Sequence, residues 1–85
     1  MDPYTNISES ETEVVRIFSE NVDPIELKWH RDREDRLVES MEPTDWMIQI
    51  DNQLPRELDK VFIPAGAWHR VIKGTGDLTI KIQKT

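Results

Sequence analysis

His69 is the first candidate for chemistry, because its position after a turn gives its imidazole a defined direction. An apolar, β-prone run at 61–63 is interrupted by Pro64 and Gly66, and a second run at 68–72 carries His69. The Pro-x-Gly turn therefore delivers one histidine onto a strand at a fixed offset.

A second histidine, His30, lies two residues before Asp32, so both side chains would project from one face of a strand. Arg36 lies four residues after Asp32, and Lys73 lies four residues after His69. The serines have no histidine nearby in the sequence, and the sequence contains no glycine-rich phosphate-binding loop. We therefore predict no catalytic residues.

Two capping-box spacings precede an apolar group near the N-terminus: Ser8 with Glu11, and Ser10 with Glu13. They predict a helix over residues 8–20, after a flexible segment at 1–6. The helix should end before the Asp-Pro pair at 23–24.

After this pair the apolar residues alternate with a period of two, which is typical of half-buried strands. Turn residues separate six short runs, at 25–29, 36–40, 46–50, 61–63, 68–72 and 78–83. We therefore predict a mainly β fold: one small single domain over 1–85, with a barrel or sandwich over 25–83 and an N-terminal helix.

Composition limits the function classes. The chain has 85 residues, no cysteine and a net charge of −6. A short chain buries a modest core, so we expect a homo-oligomer, and the absence of cysteine excludes disulfides and thiolate chemistry. The negative charge makes general affinity for a DNA or RNA polymer unlikely. No run is apolar enough for a membrane span, so we expect a cytoplasmic protein with no membrane partner.

The two histidine segments resemble the motifs of the cupin family, whose small β-barrels hold three histidines and a glutamate around a metal. His30 and His69 match the first and last histidines. Asp32 occupies the position of the family's second histidine, and Arg36 occupies the position of its glutamate. Lys73 occupies the position of an asparagine that follows the last histidine in the family's motif. The resemblance implies a cupin-like barrel over roughly 26–81, and it leaves two of four ligand positions unchanged.

The replacements change the expected chemistry. Asp32 can bind a divalent metal, whereas the guanidinium of Arg36 has no lone pair and repels a cation. We therefore predict no metal and no cofactor. Arg36 and Lys73 instead suit phosphate, with His30 and His69 as further donors and Asp32 orienting one of them. Tryptophan could stack on a base, and Trp46 is the candidate.

Other interpretations stay open. His30 and His69 could be satisfied barrel residues bonded to Asp32, and Arg36 could form a structural ion pair with Asp32 or Glu34. The basic residues at 28–36 could be a solvated surface paired with neighbouring carboxylates.

The segments WHRDREDR, DNQLP and IPAGAWHRVIKGTGDL are similar to small cupin-like proteins of T4-like bacteriophages. That group includes an anti-CBASS sponge, which sequesters cyclic dinucleotides such as 3′,3′-cGAMP in the infected host. The resemblance implies a non-enzymatic phage protein of immune evasion, acting in the cytoplasm of the infected bacterium and binding a cyclic dinucleotide. The alternatives are a metal-dependent cupin enzyme using His30, Asp32 and His69, and an interaction module with a vestigial barrel that docks through Ile25, Leu27 and Trp29.

Overall fold

Short β-prone runs separated by turn residues form eight strands within residues 2–85, the part of the chain that the computed structural model describes. In chain order the strands are β1 Thr5–Glu9, β2 Glu13–Phe18, β3 Arg36–Ser40, β4 Met47–Ile50, β5 Arg56–Glu57, β6 Lys60–Ile63, β7 His69–Ile72 and β8 Leu78–Lys84. One sheet has the order β1-β2-β8-β3-β6 and the other β5-β4-β7. All neighbouring strands are antiparallel, which confirms the predicted mainly β fold class.

Alternate residues of the strands fill the core. Strand β8 contributes Leu78, Ile80 and Ile82, which are all buried. Trp46, next to β4, has no exposed surface, and its indole Nε1 donates to the Gly76 carbonyl at 3.0 Å. Burying apolar side chains from both sheets supplies the main stabilising free energy of such a fold.

The predicted helix over 8–20 is wrong: residues 2–85 contain no α-helix, and β1 and β2 form a hairpin instead. Ser10 Oγ accepts the backbone N–H of Glu13 at 3.1 Å, so the hydroxyl closes a turn between strands where a helix cap was expected. The β-branched residues that follow favour a strand. Val14 and Phe18 are buried with Arg16 between them, which is a period of two.

The strand predicted at 25–29 is also absent. A 3-10 turn, Pro24–Glu26, occupies its start, and the Asp23 carboxylate accepts the N–H of Ile25 at 3.1 Å. Leu27 is buried, whereas Ile25 and Trp29 are exposed, so the three residues do not form one docking face.

The remaining five predicted strands coincide with β3, β4, β6, β7 and β8. The short strand β5 lies between β4 and β6, outside the six predicted runs. Gly74, after β7, passes close to the segment before β4, because a Cβ there would lie 2.6 Å from the backbone nitrogen of Trp46. No helix within residues 2–85 has the length and apolar composition needed to cross a membrane.

Candidate functional site: a cationic cavity beside two histidines

The turn before β7 is fastened to the loop that carries Asp32. Gly66 adopts a φ of 81°, which glycine tolerates better than other residues, and its N–H donates to the Asp32 carbonyl at 2.8 Å. The Ala65 N–H donates to the Asp35 carboxylate at 2.8 Å. These bonds fix His69, which follows the turn, relative to Asp32.

The two histidines face each other across an isolated antiparallel bridge. The His30 N–H donates to the His69 carbonyl at 3.0 Å, and the His69 N–H donates to the His30 carbonyl at 2.8 Å. Directly opposed residues project to the same face, and the ring centroids lie 4.2 Å apart in an edge-to-face arrangement. The spacing of His30 and His69 in the sequence does not predict this pairing.

Each imidazole has its Nδ1 beside a backbone carbonyl. His69 Nδ1 lies 2.8 Å from the Ala67 carbonyl, and His30 Nδ1 lies 3.2 Å from the Lys28 carbonyl. Because a carbonyl only accepts, each Nδ1 carries the proton, and in a neutral ring Nε2 keeps a lone pair. Burial lowers the pKa of His69, so its neutral form is favoured at pH 7.

Asp32 completes a cluster of three donor groups with His30 and His69, whose ligand atoms lie within 4.8 Å of one another. Asp32 Oδ2 is 3.3 Å from His69 Nε2. It is buried and has no hydrogen-bond partner among residues 2–85. With His69 neutral and its proton on Nδ1, Asp32 Oδ2 and His69 Nε2 are two acceptors that face each other without a hydrogen between them. A proton or a cation bound between the two atoms would remove this repulsion.

Arg36 places a positive charge beside this cluster. Its Nη2 lies 3.5 Å from Asp32 Oδ1, and its Nε and Nη2 donate to Glu34 Oε1 at 3.0 and 2.8 Å. The guanidinium lowers the pKa of the Glu34 carboxyl. The structural ion pair considered from the sequence is therefore present, but the same side chain also borders the cavity.

The cavity has a volume of about 340 Å³. Its lining combines three basic side chains, two acidic ones, five apolar or aromatic ones and one of the two histidines. These residues are Pro3, Tyr4, Arg16, Phe18, Glu26, Leu27, Lys28, His30, Asp32, Arg36 and Val71. With histidine neutral, the lining has a net charge of +1 in a chain whose net charge is −6.

Arg16 is the functional candidate that the sequence analysis missed. Its Nε donates to Asn6 Oδ1 at 2.8 Å, and its Cζ lies 3.7 Å from the centroid of the Tyr4 ring. No carboxylate in residues 2–85 lies within ion-pair distance of it. Burial lowers the pKa of Arg16, although a guanidinium stays protonated. The sequence signal for Arg16 is its position between Val14 and Phe18. These three residues share one face only if the segment is a strand, because alternate residues of a strand project to the same side.

Two predicted site residues lie elsewhere. Strand β7 ends at Ile72, so Lys73 no longer alternates with His69, and its Nζ donates to the Val22 carbonyl at 2.8 Å. Trp46 is fully buried in the core and offers no ring face to a ligand. The structure therefore brings together His30, Asp32, Arg36 and His69, and leaves Lys73 and Trp46 outside the cavity.

Comparisons with known proteins agree with this architecture. No protein-family model and no curated protein matches the sequence. Among solved structures, the chain is similar to a cupin domain from Bordetella pertussis Tohama I, with a TM-score of 0.62 and 19% identity, covering 96% of this chain and 91% of that one. It is also similar to a protein from Neisseria meningitidis, with a TM-score of 0.60 and 14% identity, covering 96% and 82%. The chain therefore has a cupin-like fold.

Proposed function

We propose that the cavity binds a small anionic ligand and that the protein is a binder, not an enzyme. The observation that carries this proposal is Arg16, a partly buried guanidinium that borders the cavity and has no carboxylate within ion-pair distance among residues 2–85. Removing a cation from water is costly unless an opposite charge compensates it. A bound anion would supply that charge.

Arg36 adds a second guanidinium to the same cavity. Burial, and after it the positive charge of Arg36, lower the pKa of Arg16. Glu34 and Asp32 hold Arg36 in place. Two guanidinium forks that face one cavity suit phosphate oxygens, which accept paired N–H donors. The Tyr4 ring beside Arg16 offers an aromatic surface to the same ligand.

For the ligand class we propose a cyclic dinucleotide such as 3′,3′-cGAMP, which the protein would sequester to block host anti-phage signalling in the infected cytoplasm. The resemblance of the histidine segments to phage cupin-like proteins supports this class, and so do the two arginines. A cavity of about 340 Å³ is near the lower end of ligand pockets, roughly 300–1,000 Å³. A ligand with two bases would therefore extend out of it, and a neighbouring subunit of a homo-oligomer could cover the remainder.

Calorimetric titration with a panel of cyclic dinucleotides and inorganic phosphate tests the proposal. We expect saturable binding to the wild type and a loss of about tenfold or more in Arg16→Ala and Arg36→Ala. Arg56→Ala is the matched control, because this exposed arginine of β5 does not line the cavity. Absence of binding by every ligand in the panel, or equal binding by the Arg36→Ala variant, would overturn it.

A divalent metal is the second candidate, and the unpartnered Asp32 Oδ2 favours it. Two imidazoles and one carboxylate form a known set of metal ligands. The backbone carbonyls bonded to Nδ1 orient both rings, as the groups that hydrogen-bond to histidine ligands do in metal sites. His30, Asp32 and His69 would hold the ion, which would supply Lewis-acid or redox chemistry. The donors fit, whereas the Arg36 charge beside Asp32 weakens cation binding.

Elemental analysis of the purified protein, with Zn²⁺ and Mn²⁺ titrations, separates the two candidates. The metal candidate predicts near-stoichiometric ion that is lost in His69→Gln and retained in Arg16→Ala. The anion candidate predicts a ligand affinity that survives treatment with a chelator. A wild type that takes up neither ion at micromolar concentration would remove the metal candidate.

A further inference from the structure

The residues that flank the His30–His69 bridge form a second surface on the opposite side of the backbone. Neighbouring residues of an extended chain alternate in direction, so those beside the two histidines point away from the cavity. Antiparallel pairing then sets Trp29 opposite Arg70, and Arg31 opposite Trp68. We call these four residues the Trp–Arg face.

Both cross-strand pairs on this face are formed. Arg70 Cζ lies 4.9 Å from the Trp29 ring centroid, and Arg31 Cζ lies 5.0 Å from the Trp68 ring centroid. The indoles are nonetheless accessible, at 39% for Trp29 and 43% for Trp68. Two large aromatic rings at this exposure are costly for a solvent-facing sheet surface, which is usually polar.

Hydrogen bonds limit the movement of one of the guanidinium groups. Gln49 Oε1 accepts from both Nε and Nη2 of Arg70, at 3.1 and 2.9 Å. Gln49 lies opposite Arg70 in the β4–β7 register, so the bond is made within one face of the sheet. The arginine is therefore held in position before any ligand arrives, which reduces the entropy lost on binding.

The surroundings of this face are cationic although the chain is acidic. No ion pair within residues 2–85 involves the basic residues around it, which are Arg31, Arg33 and Arg70. One exposed carboxylate adjoins the face, that of Asp51, whose backbone N–H donates to the Trp68 carbonyl at 2.8 Å, while Asp32 belongs to the cavity cluster. Beyond about 8 Å charges are largely screened at physiological salt, so the potential at the face depends on these nearby groups more than on the net charge of the chain.

We propose that the Trp–Arg face binds single-stranded nucleic acid, with two consecutive bases stacked on Trp29 and Trp68. The two tryptophans are diagonal neighbours across the bridge, a spacing of about 7–8 Å. This is roughly twice the 3.4 Å rise of stacked bases in a duplex. Only splayed, unpaired bases can occupy both rings, and aromatic side chains on a sheet combined with cations are suited to them.

Charge and shape disfavour the other occupants. A second copy of this chain that packed through the same face would bring its own cations against these, because both subunits of an isologous dimer use the same surface. An acidic peptide matches the charge but uses neither indole as a stacking platform. The net charge of −6 repels long polyanions, so binding is confined to short single strands and weakens steeply with salt.

Titration with a single-stranded oligothymidine of about eight nucleotides, followed by tryptophan fluorescence, tests this inference. We expect quenching in the wild type, and an affinity reduced about tenfold or more in Trp29→Ala and in Trp68→Ala. Affinity should also fall between about 50 and 200 mM NaCl. Phe62→Ala is the matched aromatic control, because Phe62 is exposed on β6 and should leave binding unchanged.

Three further measurements decide the interpretation. Circular dichroism melts of the variants show that each has folded, and Trp29→Phe should recover much of the binding lost in Trp29→Ala. Arg36→Ala should bind the oligonucleotide normally, so this inference can fail or hold independently of the cavity proposal. Undetectable binding at low salt, equal binding of the duplex, or equal competition by polyglutamate would each overturn it.

Discussion

The two sides of the His30–His69 bridge make opposite use of the same backbone. On the inner side, the imidazoles and Asp32 converge within 4.8 Å beside a cavity that Arg16 and Arg36 border. On the outer side, two exposed indoles pair with two guanidinium groups. Alternation along two short segments is enough to separate these chemistries, because each step of one residue reverses the face.

Burial explains why the same residue types behave differently on the two sides. The inner cations lose hydration, and burial lowers the pKa of both Arg16 and His69. The outer guanidinium groups keep solvent contact and cost little without a ligand. The inner side should therefore respond strongly to substitutions of charge, and the outer side chiefly to substitutions of aromatic rings.

Reversing a charge on the inner side should have the largest effect. Arg36→Glu places a carboxylate beside Asp32, and like charges at close range cost several kcal/mol, so affinity for 3′,3′-cGAMP should fall at least about 100-fold. Affinity for Zn²⁺ should rise, because the variant adds a fourth ligand next to the cluster. Calorimetry measures both. Oligothymidine binding on the outer side should be unchanged, and a parallel loss there would show that the variant is misfolded.

Removing the unpaired inner cation should separate binding from stability. In Arg16→Leu we expect about tenfold weaker anion binding, together with a free energy of unfolding that is unchanged or raised by about 1 kcal/mol. The reason is that no carboxylate within residues 2–85 lies close enough to Arg16 to form an ion pair with its partly buried guanidinium. Urea denaturation measures the free energy of unfolding of the variant and the wild type. A loss of several kcal/mol would instead mean that Arg16 is a structural residue.

The pH dependence of stability should report His69. Its folded pKa lies below the ordinary value of 6.5, so the unfolded chain takes up a proton at a higher pH than the folded one. The stability that His69 contributes is therefore fully present above pH 6.5 and is lost as the pH falls from there toward the folded pKa, by at most about 1.4 kcal/mol per pH unit.

Urea denaturation of the wild type and of His69→Gln at a series of pH values measures this difference. The variant should show a flatter profile between pH 6.5 and lower values, because it lacks the titrating group. Parallel profiles would show that His69 does not change its protonation on folding in this range.

The smallest effect is expected outside both faces. Lys73→Ala removes a hydrogen bond to the Val22 carbonyl and should cost about 1 kcal/mol of stability. Affinity for 3′,3′-cGAMP should change less than about twofold, because Lys73 does not line the cavity. A large loss of affinity in calorimetry would return Lys73 to the site that the sequence predicted.

Local sequence signals predicted the parts of the fold that turns and alternation determine. The Pro64-x-Gly66 turn and the strand after it are encoded by neighbours, so the burial of His69 could be anticipated. The N-terminal segment was misassigned because a serine followed by glutamate at helix-cap spacing also closes a hairpin, as Ser10 does. That error hid Arg16, since a helix puts it off the apolar stripe.

Other features depend on pairings that the sequence does not state. The bridge between His30 and His69 joins residues 39 positions apart, and its register decides which side chains enter the cavity. The end of β7 at Ile72 removes Lys73 from the predicted face. Trp46 was the candidate for stacking on a base, but its complete burial and its indole bond to the Gly76 carbonyl place it in the core.

The central claim is that two guanidinium groups make the inner side an anion site. Proton–nitrogen NMR of the arginine Nε–H groups, during a titration with inorganic phosphate, tests it most directly. We predict that the Arg16 and Arg36 signals move together and saturate at one midpoint, while the Arg70 signal moves less. Stationary Arg16 and Arg36 signals at saturating phosphate would contradict the claim.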